Sequence, residues 1–261
     1  MMKRPDRSFS LSSIVKSSRN TSSATQRLVW LTGASSGIGH ALAREFAADG
    51  YTVIVTGRHR VALRRLVDRI QSTGGHAHVV GCDVRRESSI KTAAKSIQKS
   101  FGVPDIVVNN AGVTVFKSFA DTSVRDFDDI LDTNLRGAFL ATKVFLSGMI
   151  KRRRGVVLNI VSYAAKTTYT ESSAYAASKA GVAAMMDGLR AEVRDKGIKI
   201  VNVFPGAVLT PIWHPKVRTK FGGQMLTPEE VAKMIVAVVR QPSAMMVEEI
   251  VIRPQHGDVN A

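Results

Sequence analysis

From residue 28 onward, short runs rich in valine and isoleucine alternate with longer stretches of helical periodicity, and this alternation limits the fold more than any other feature. The apolar runs fall at 28–31, 52–56, 78–81, 106–109, 156–161, 199–204 and 250–252. Helical stretches lie between them near 37–49, 60–72, 87–101, 124–149, 174–195 and 228–240. Apolar runs of this kind suit strands buried on both faces, as in a parallel sheet covered by helices. Strand–helix–strand order with right-handed crossovers then predicts an α/β, Rossmann-type fold: a doubly wound sheet of seven parallel strands in a single domain over 27–261. No internal repeat or second domain boundary breaks the pattern. At 261 residues the chain can bury a full core.

The first run leads into TGASSGIG at 32–39 and then a helical stretch. Gly33, Gly37 and Gly39 permit a tight turn and close approach of backbone to a pyrophosphate, with Ser35, Ser36 and Ile38 beside them. The helix N-terminus that follows offers free N–H groups and a positive dipole end. The spacing is G-x3-G-x-G, which differs from the general G-x-G-x-x-G fingerprint. Its weight comes from its place between the first strand and first helix of a βαβ unit.

Ser162 follows the run 156–161, so its hydroxyl falls at the carboxyl end of a parallel strand, where open α/β sheets bind ligands. Tyr175 and Lys179, at the ends of YAASK, share one face of a helix. An ammonium beside a phenol favours phenolate, so the tyrosine pKa is expected to fall from about 10. Such a tyrosine exchanges protons with a reacting oxygen near neutral pH. Taken alone, these three residues read better as a surface tyrosine–lysine pair and an unrelated loop serine; it is the rest of the chain that reverses this reading.

The single cysteine, Cys82, excludes an internal disulfide framework and fits a reducing, cytoplasmic setting. Its position at the end of an apolar run reads as a buried structural thiol. No stretch approaches the roughly 18 apolar residues of a membrane span, and no metal site is expected. The net charge of +16 is scattered, with Arg58, Arg60, Arg64, Arg65 and Arg69 on one helix and Lys151, Arg152, Arg153 and Arg154 before a strand. Scattered charge reads as solvated surface, and part of it serves to attract a polyanionic cofactor. Nucleic-acid binding is the less favoured use, since no recognition motif accompanies the charge. Residues 1–26 form a basic, serine-rich tail whose only acid is Asp6, a composition that predicts disorder. It mimics a transit peptide but is read as a flexible extension.

With these motifs in order, the chain resembles the short-chain dehydrogenase/reductase family from residue 27 to its end. The segment 32–39 matches that family's TGxxxGxG, NNAG at 109–112 its second motif, and Asn134 its helical asparagine. Ser162, Tyr175 and Lys179 match its catalytic residues, and Pro205 with Gly206 its PG after the sixth strand. The resemblance implies that Tyr175 donates a proton to a substrate carbonyl oxygen while a nicotinamide delivers hydride. Lys179 would lower the tyrosine pKa and hold the nicotinamide ribose, Ser162 would polarise the carbonyl, and Asn134 would hold a water that relays protons to Lys179. It further implies adenine contact at Asp83, next to Val84, and adenosine-ribose contact and sheet support from Asn110, Ala111 and Gly112. Val208 and Thr210 would lie near the carboxamide and pyrophosphate.

NAD-binding members carry an acid at the end of the second strand, where this chain has Gly57 followed by Arg58. Losing the acid removes repulsion of a 2′-phosphate, and a guanidinium can bind it bidentately, so NADP(H) is favoured over NAD(H). The alternative is that Arg58 is a solvated turn residue. Substrate choice is expected from 207–226, where Trp213, His214 and Phe221 either wall a pocket or pack the lid on itself, with Thr167, Tyr169 and Thr170 as further candidates. The segments 205–213 and 247–258 look similar to a bacterial branch that includes sepiapterin-reductase-like proteins, and they lack the DGG ending of 3-oxoacyl-carrier-protein reductases. The leading expectation is an NADP(H)-dependent reductase of a ketone, oxoacyl or pteridine-type carbonyl, assembled as a homodimer or homotetramer. A non-catalytic NADP(H)-sensing protein is the alternative from another class, and a basic nucleic-acid-associated protein a weaker one.

Overall fold

In the computed structural model, which describes residues 27–242 and 244–259, the apolar runs pair into one parallel sheet. Its strands are β1 (Leu28–Thr32), β2 (Thr52–Gly57), β3 (His76–Gly81), β4 (Ile106–Asn109), β5 (Gly155–Ile160), β6 (Ile198–Pro205) and β7 (Glu249–Ile252). They stand in the order β3-β2-β1-β4-β5-β6-β7, so the winding reverses between β1 and β4. The basic tail expected at 1–26 lies outside the described residues.

Successive residues of each strand point to opposite faces, and each face has its own helices. Leu31 and Val53 pack with Leu42 and Phe46 of α1 (Gly37–Ala48), Leu63 of α2 (Arg60–Ser72) and Ile235 of α8, the helix Pro228–Val239. On the other face, Trp30 and Val157 pack with Ile97 of α3 (Glu87–Phe101), Phe145 of α5 (Gly137–Lys151) and Met186 of α6 (Ser173–Val193). Trp30 is fully buried and meets Phe145 edge-on at 5.2 Å and 75°. That geometry places a positive ring edge on a negative face.

A polar thread crosses this apolar sheet. Asn109, Asn159 and Asn202 are register partners on β4, β5 and β6, and all three are buried. Asn109 Nδ2 donates to Asn159 Oδ1 at 2.8 Å, and Asn159 Nδ2 to Asn202 Oδ1 at 3.0 Å. Asn202 Nδ2 continues to Asp187 Oδ1 on α6 at 2.9 Å, where Arg190 also donates at 2.7 Å. A one-residue register slip would leave these amides facing apolar neighbours, so the thread fixes both register and the seat of α6.

Three local features depart from the sequence reading. β3 begins at His76, two residues earlier than the expected run, because an exposed edge strand needs no apolar residue at its outward positions. The expected helix over 124–149 is α4 (Val124–Leu131), a π-helical turn (Asp132–Arg136) and then α5. A short helix, α7 (Pro215–Phe221), forms in the segment after β6, with Pro215 in its first turn and His214 Nδ1 accepting from Lys216 N.

Replacing Asn159 with alanine is expected to strand buried amide groups on Asn109 and Asn202, at a cost of about 2 kcal/mol or more. Urea unfolding measures this, and a loss under about 0.5 kcal/mol would contradict the role given to the thread.

Candidate active site

The site is built where the two windings part. Thr32 Oγ1 at the end of β1 accepts from Asn110 N at 3.1 Å and Ala111 N at 3.2 Å. Asn110 Nδ2 returns bonds to Thr32 O at 3.0 Å and Gly33 O at 2.9 Å. The turns leaving β1 and β4 are thereby stapled together, and glycine follows from the contact. A Cβ on Gly39 would lie 2.3 Å from Asn110 Nδ2, and one on Gly33, whose φ is +67°, would lie 2.7 Å from Ala111 Cα. Close approach to a ligand, the reason read from sequence, is therefore joined by close approach of the protein to itself.

A cleft of about 1030 Å³ opens above this staple. Gly33, Ser35, Ser36, Gly37 and Ile38 line one end; Arg58, Asp83, Val84, Asn110, Ala111 and Gly112 line the middle. Ser162, Tyr175 and Lys179 close the other end, with Pro205, Gly206, Val208 and Thr210 along the third side. Gly39 lies behind the turn. Asn134 borders a separate cavity of about 10 Å³, together with Thr32, Asn109 and Lys179. Asn109 Oδ1 is buried there without a partner among the described residues, and the space suits one water.

Ser36 is the N-cap of α1, yet its side chain makes no capping bond, so the first-turn N–H groups keep their donors for a ligand. Gly37, with φ +55°, faces Thr210, whose Cγ2 would sit 3.0 Å from an added Cβ. Arg58 is exposed just beyond β2, and among the described residues no ion pair or side-chain hydrogen bond engages it. Asp83 receives Arg85 Nε at 3.2 Å and Nη2 at 3.0 Å, and these bonds hold its carboxyl below the usual range. A dinucleotide fits these groups: helix N-terminal donors for a pyrophosphate at one end, an exposed guanidinium at the margin, and a cradle kept open by glycine.

At the far end Lys179 is buried, its Nζ donating to Ile160 O at 2.7 Å and lying 5.8 Å from the centroid of the Tyr175 ring. Burial pulls the ammonium down to about 8. Burial likewise pushes the Tyr175 phenol up, against a hydrogen bond with Ser162 that lowers it. The depressed tyrosine expected from the four-residue spacing is thus not what the protein alone sets. Desolvation outweighs the Ser162 hydrogen bond, and the Lys179 ammonium is turned to Ile160 O.

Asn134 owes its aim to the π-helical turn. Its Oδ1 accepts from Val113 N at 2.8 Å, and its Nδ2 donates to Val113 O at 3.0 Å and Ser178 Oγ at 2.9 Å. The asparagine therefore clamps the turn after β4 onto α6, the helix that carries Tyr175 and Lys179. Gly112 passes through this clamp, where a Cβ would lie 3.4 Å from both Asn134 Oδ1 and Lys179 Nζ.

Of the substrate-pocket candidates, Tyr169, Thr170, Trp213 and His214 line the cleft, while Thr167 and Phe221 do not. Phe221 packs instead within the lid. Trp213 serves both purposes left open by the sequence: its Nε1 donates to Val208 O at 3.1 Å, and its ring stacks on Phe116 at 5.3 Å and 10°. Phe116, Tyr163, Asp258 and Val259 also line the cleft and were missed. Phe116 and Tyr163 follow NNAG and Ser162 closely enough to be found by proximity. Asp258 and Val259 carry no local signal.

The short chain dehydrogenase family model matches residues 27–220. The chain belongs to that family of Rossmann-fold oxidoreductases. A sepiapterin reductase from Chlorobaculum tepidum is 32% identical over 241 residues, covering 90% of this chain and 98% of that protein. Among solved structures, the closed form of serine dehydrogenase complexed with NADP+ matches with a TM-score of 0.83 at 28% identity, covering 90% of this chain and 97% of that one. Actinorhodin polyketide ketoreductase with NADPH matches with a TM-score of 0.82 at 29% identity, covering 90% and 98%. Among the described residues no helix is long and apolar enough to cross a membrane.

Proposed function

We propose that the protein is an NADP(H)-dependent carbonyl reductase, acting on a ketone, oxoacyl or pteridine-type substrate. One observation carries the reading: Ser162, Tyr175 and Lys179 converge at one end of a single cleft whose other end is the glycine turn and the open N-terminus of α1. When bound, the nicotinamide supplies hydride to the carbonyl carbon. Tyr175 gives its phenolic proton to the carbonyl oxygen, and a phenol held above its usual range is fully protonated for that task at neutral pH. Ser162 donates a hydrogen bond to the same oxygen and stabilises charge developing there. Lys179, largely protonated at pH 7, stabilises the phenolate left behind. Asn134 and the small cavity beside Lys179 provide a water position through which the proton is restored.

Arg58 supports the preference for NADP(H), as an exposed guanidinium at the cleft margin that among the described residues makes no side-chain hydrogen bond or ion pair, with Gly57 in place of an acid. The NADP-bearing relatives support the same choice. Phe127 and Phe139, exposed on α4 and α5, support assembly as a homo-oligomer.

Tyr175→Phe is expected to bind NADPH as the wild type does and to lose reduction by about 10²–10⁴-fold, measured by NADPH oxidation. Full activity would remove the proton-donor role. Arg58→Ala is expected to weaken NADPH about tenfold or more while leaving NADH nearly unchanged in a fluorescence titration; equal loss for both refutes phosphate binding. Lys179 has its folded pKa near 8, so kcat/KM for reduction is expected to fall as pH rises through about 8 and the ammonium becomes a neutral amine. A profile flat to about pH 9.5 would contradict that assignment.

A further inference from the structure

The lid between β6 and α8 has a small core of its own. Its base is closed where Leu226 N donates to Ala207 O at 3.0 Å and Leu209 N to Leu226 O at 2.8 Å. Inside it, Ala207, Met225 and Val259 are buried together, with Trp213, Val217 and Phe221 packed on them. Val259 does not belong to the lid. It comes from beyond β7, which ends at Ile252, and it lines the cleft together with Asp258. At 9% exposure it is a component of the lid core, not a chain end lying over it.

Arg253 directs the chain to that position. Its stem runs over Gly206, where an added Cβ would lie 3.3 Å from Arg253 Cγ. Its guanidinium carbon lies 4.1 Å from the centroid of the Tyr163 ring, and Nη1 donates to the Tyr163 hydroxyl at 3.3 Å. Nη2 pairs with Asp258 Oδ2 at 2.9 Å. A planar guanidinium can stack, donate and pair at once, which a lysine ammonium cannot. One side chain therefore joins the residue after Ser162, the turn after β6 and the segment that completes the lid core.

We propose that residues 253–259 form a wall of the substrate pocket and that Arg253 is its positioning residue, keeping Val259 in the lid core so that the lid holds its shape opposite Ser162 and Tyr175. The pocket's use for a carbonyl substrate rests on the function proposed above; the hold on the lid does not. A partly exposed ion pair contributes little to global stability, so its loss acts locally.

Hydrogen exchange on the full chain tests this, comparing wild type with Arg253→Met, Asp258→Asn and the double variant. The methionine keeps the stem over Gly206 and removes stack, bond and charge. Amides of 207–226 are expected to exchange about tenfold faster in Arg253→Met, with β1 to β6 unchanged. Asp258→Asn is expected to move the same amides, and the double variant to fall short of the sum of the two single variants, as for partners that share an interaction. NADPH affinity, read by fluorescence titration, is expected to fall by less than the carbonyl KM rises, because Gly33 to Ile38 and Arg58 lie outside the lid. For any carbonyl the wild type reduces, KM is expected to rise about fivefold in Arg253→Met, with kcat changed much less. Wild-type exchange in the lid, or acceleration spread across the whole sheet, would overturn the proposal, as would a fall in kcat at constant KM. Exchange needs no turnover, so a lid effect in a protein that reduces no carbonyl would sink the proposed function and leave the hold on the lid standing.

Discussion

Asn110 bonds the turn after β1 to the turn after β4 at the point where the two windings diverge. Its side-chain amide satisfies two carbonyls of the glycine turn, and Thr32 Oγ1 answers the backbone N–H groups of Asn110 and Ala111. Leaving any one of these partly buried groups unpaired would cost about 1–3 kcal/mol, so the two turns move as one body. The glycine-turn end of the cleft is thereby referenced to β4. The chain that leaves β4 then passes Gly112 against Lys179 and Val113 against Asn134, which references the chemical end to the same strand.

At the end of the cleft lined by Ser162, Tyr175 and Lys179, one effect acts on both titratable groups. Burial raises the phenol and lowers the ammonium, so both groups are held toward their neutral forms. For a reductase this is a workable starting state, because the phenol must keep its proton until a carbonyl oxygen takes on charge. The clamp by Asn134 and the asparagine thread through β4, β5 and β6 keep α6 seated.

Most of the sheet was legible in the sequence because buried parallel strands leave continuous Val- and Ile-rich runs, and all seven lie where those runs fall. The glycine turn was legible because it is local and sits between the first strand and the first helix, whereas Ser162, Tyr175 and Lys179 gained meaning only with the other motifs in order. What escaped was set by tertiary contact. The π-helical turn at Asn134 leaves the composition of a helix intact, and only its bonds to Val113 and Ser178 give it a reason. The tyrosine pKa was read from charge proximity alone, whereas desolvation is a property of the packed interior. Asp258 and Val259 reach the cleft through Arg253 and Tyr163, 90 residues apart in the chain. No window of sequence contains both ends of that contact.

The central claim is that a single cleft holds a nicotinamide cofactor against a carbonyl facing Ser162, Tyr175 and Lys179. Oxidation of NADPH by the purified protein tests it most directly, run against diketones, acetoacetyl thioesters, sepiapterin and aromatic aldehydes, with NADH in parallel. The account predicts turnover of at least one of these carbonyls with NADPH and clearly less with NADH. Tight binding of NADPH with no turnover across the whole set would contradict it.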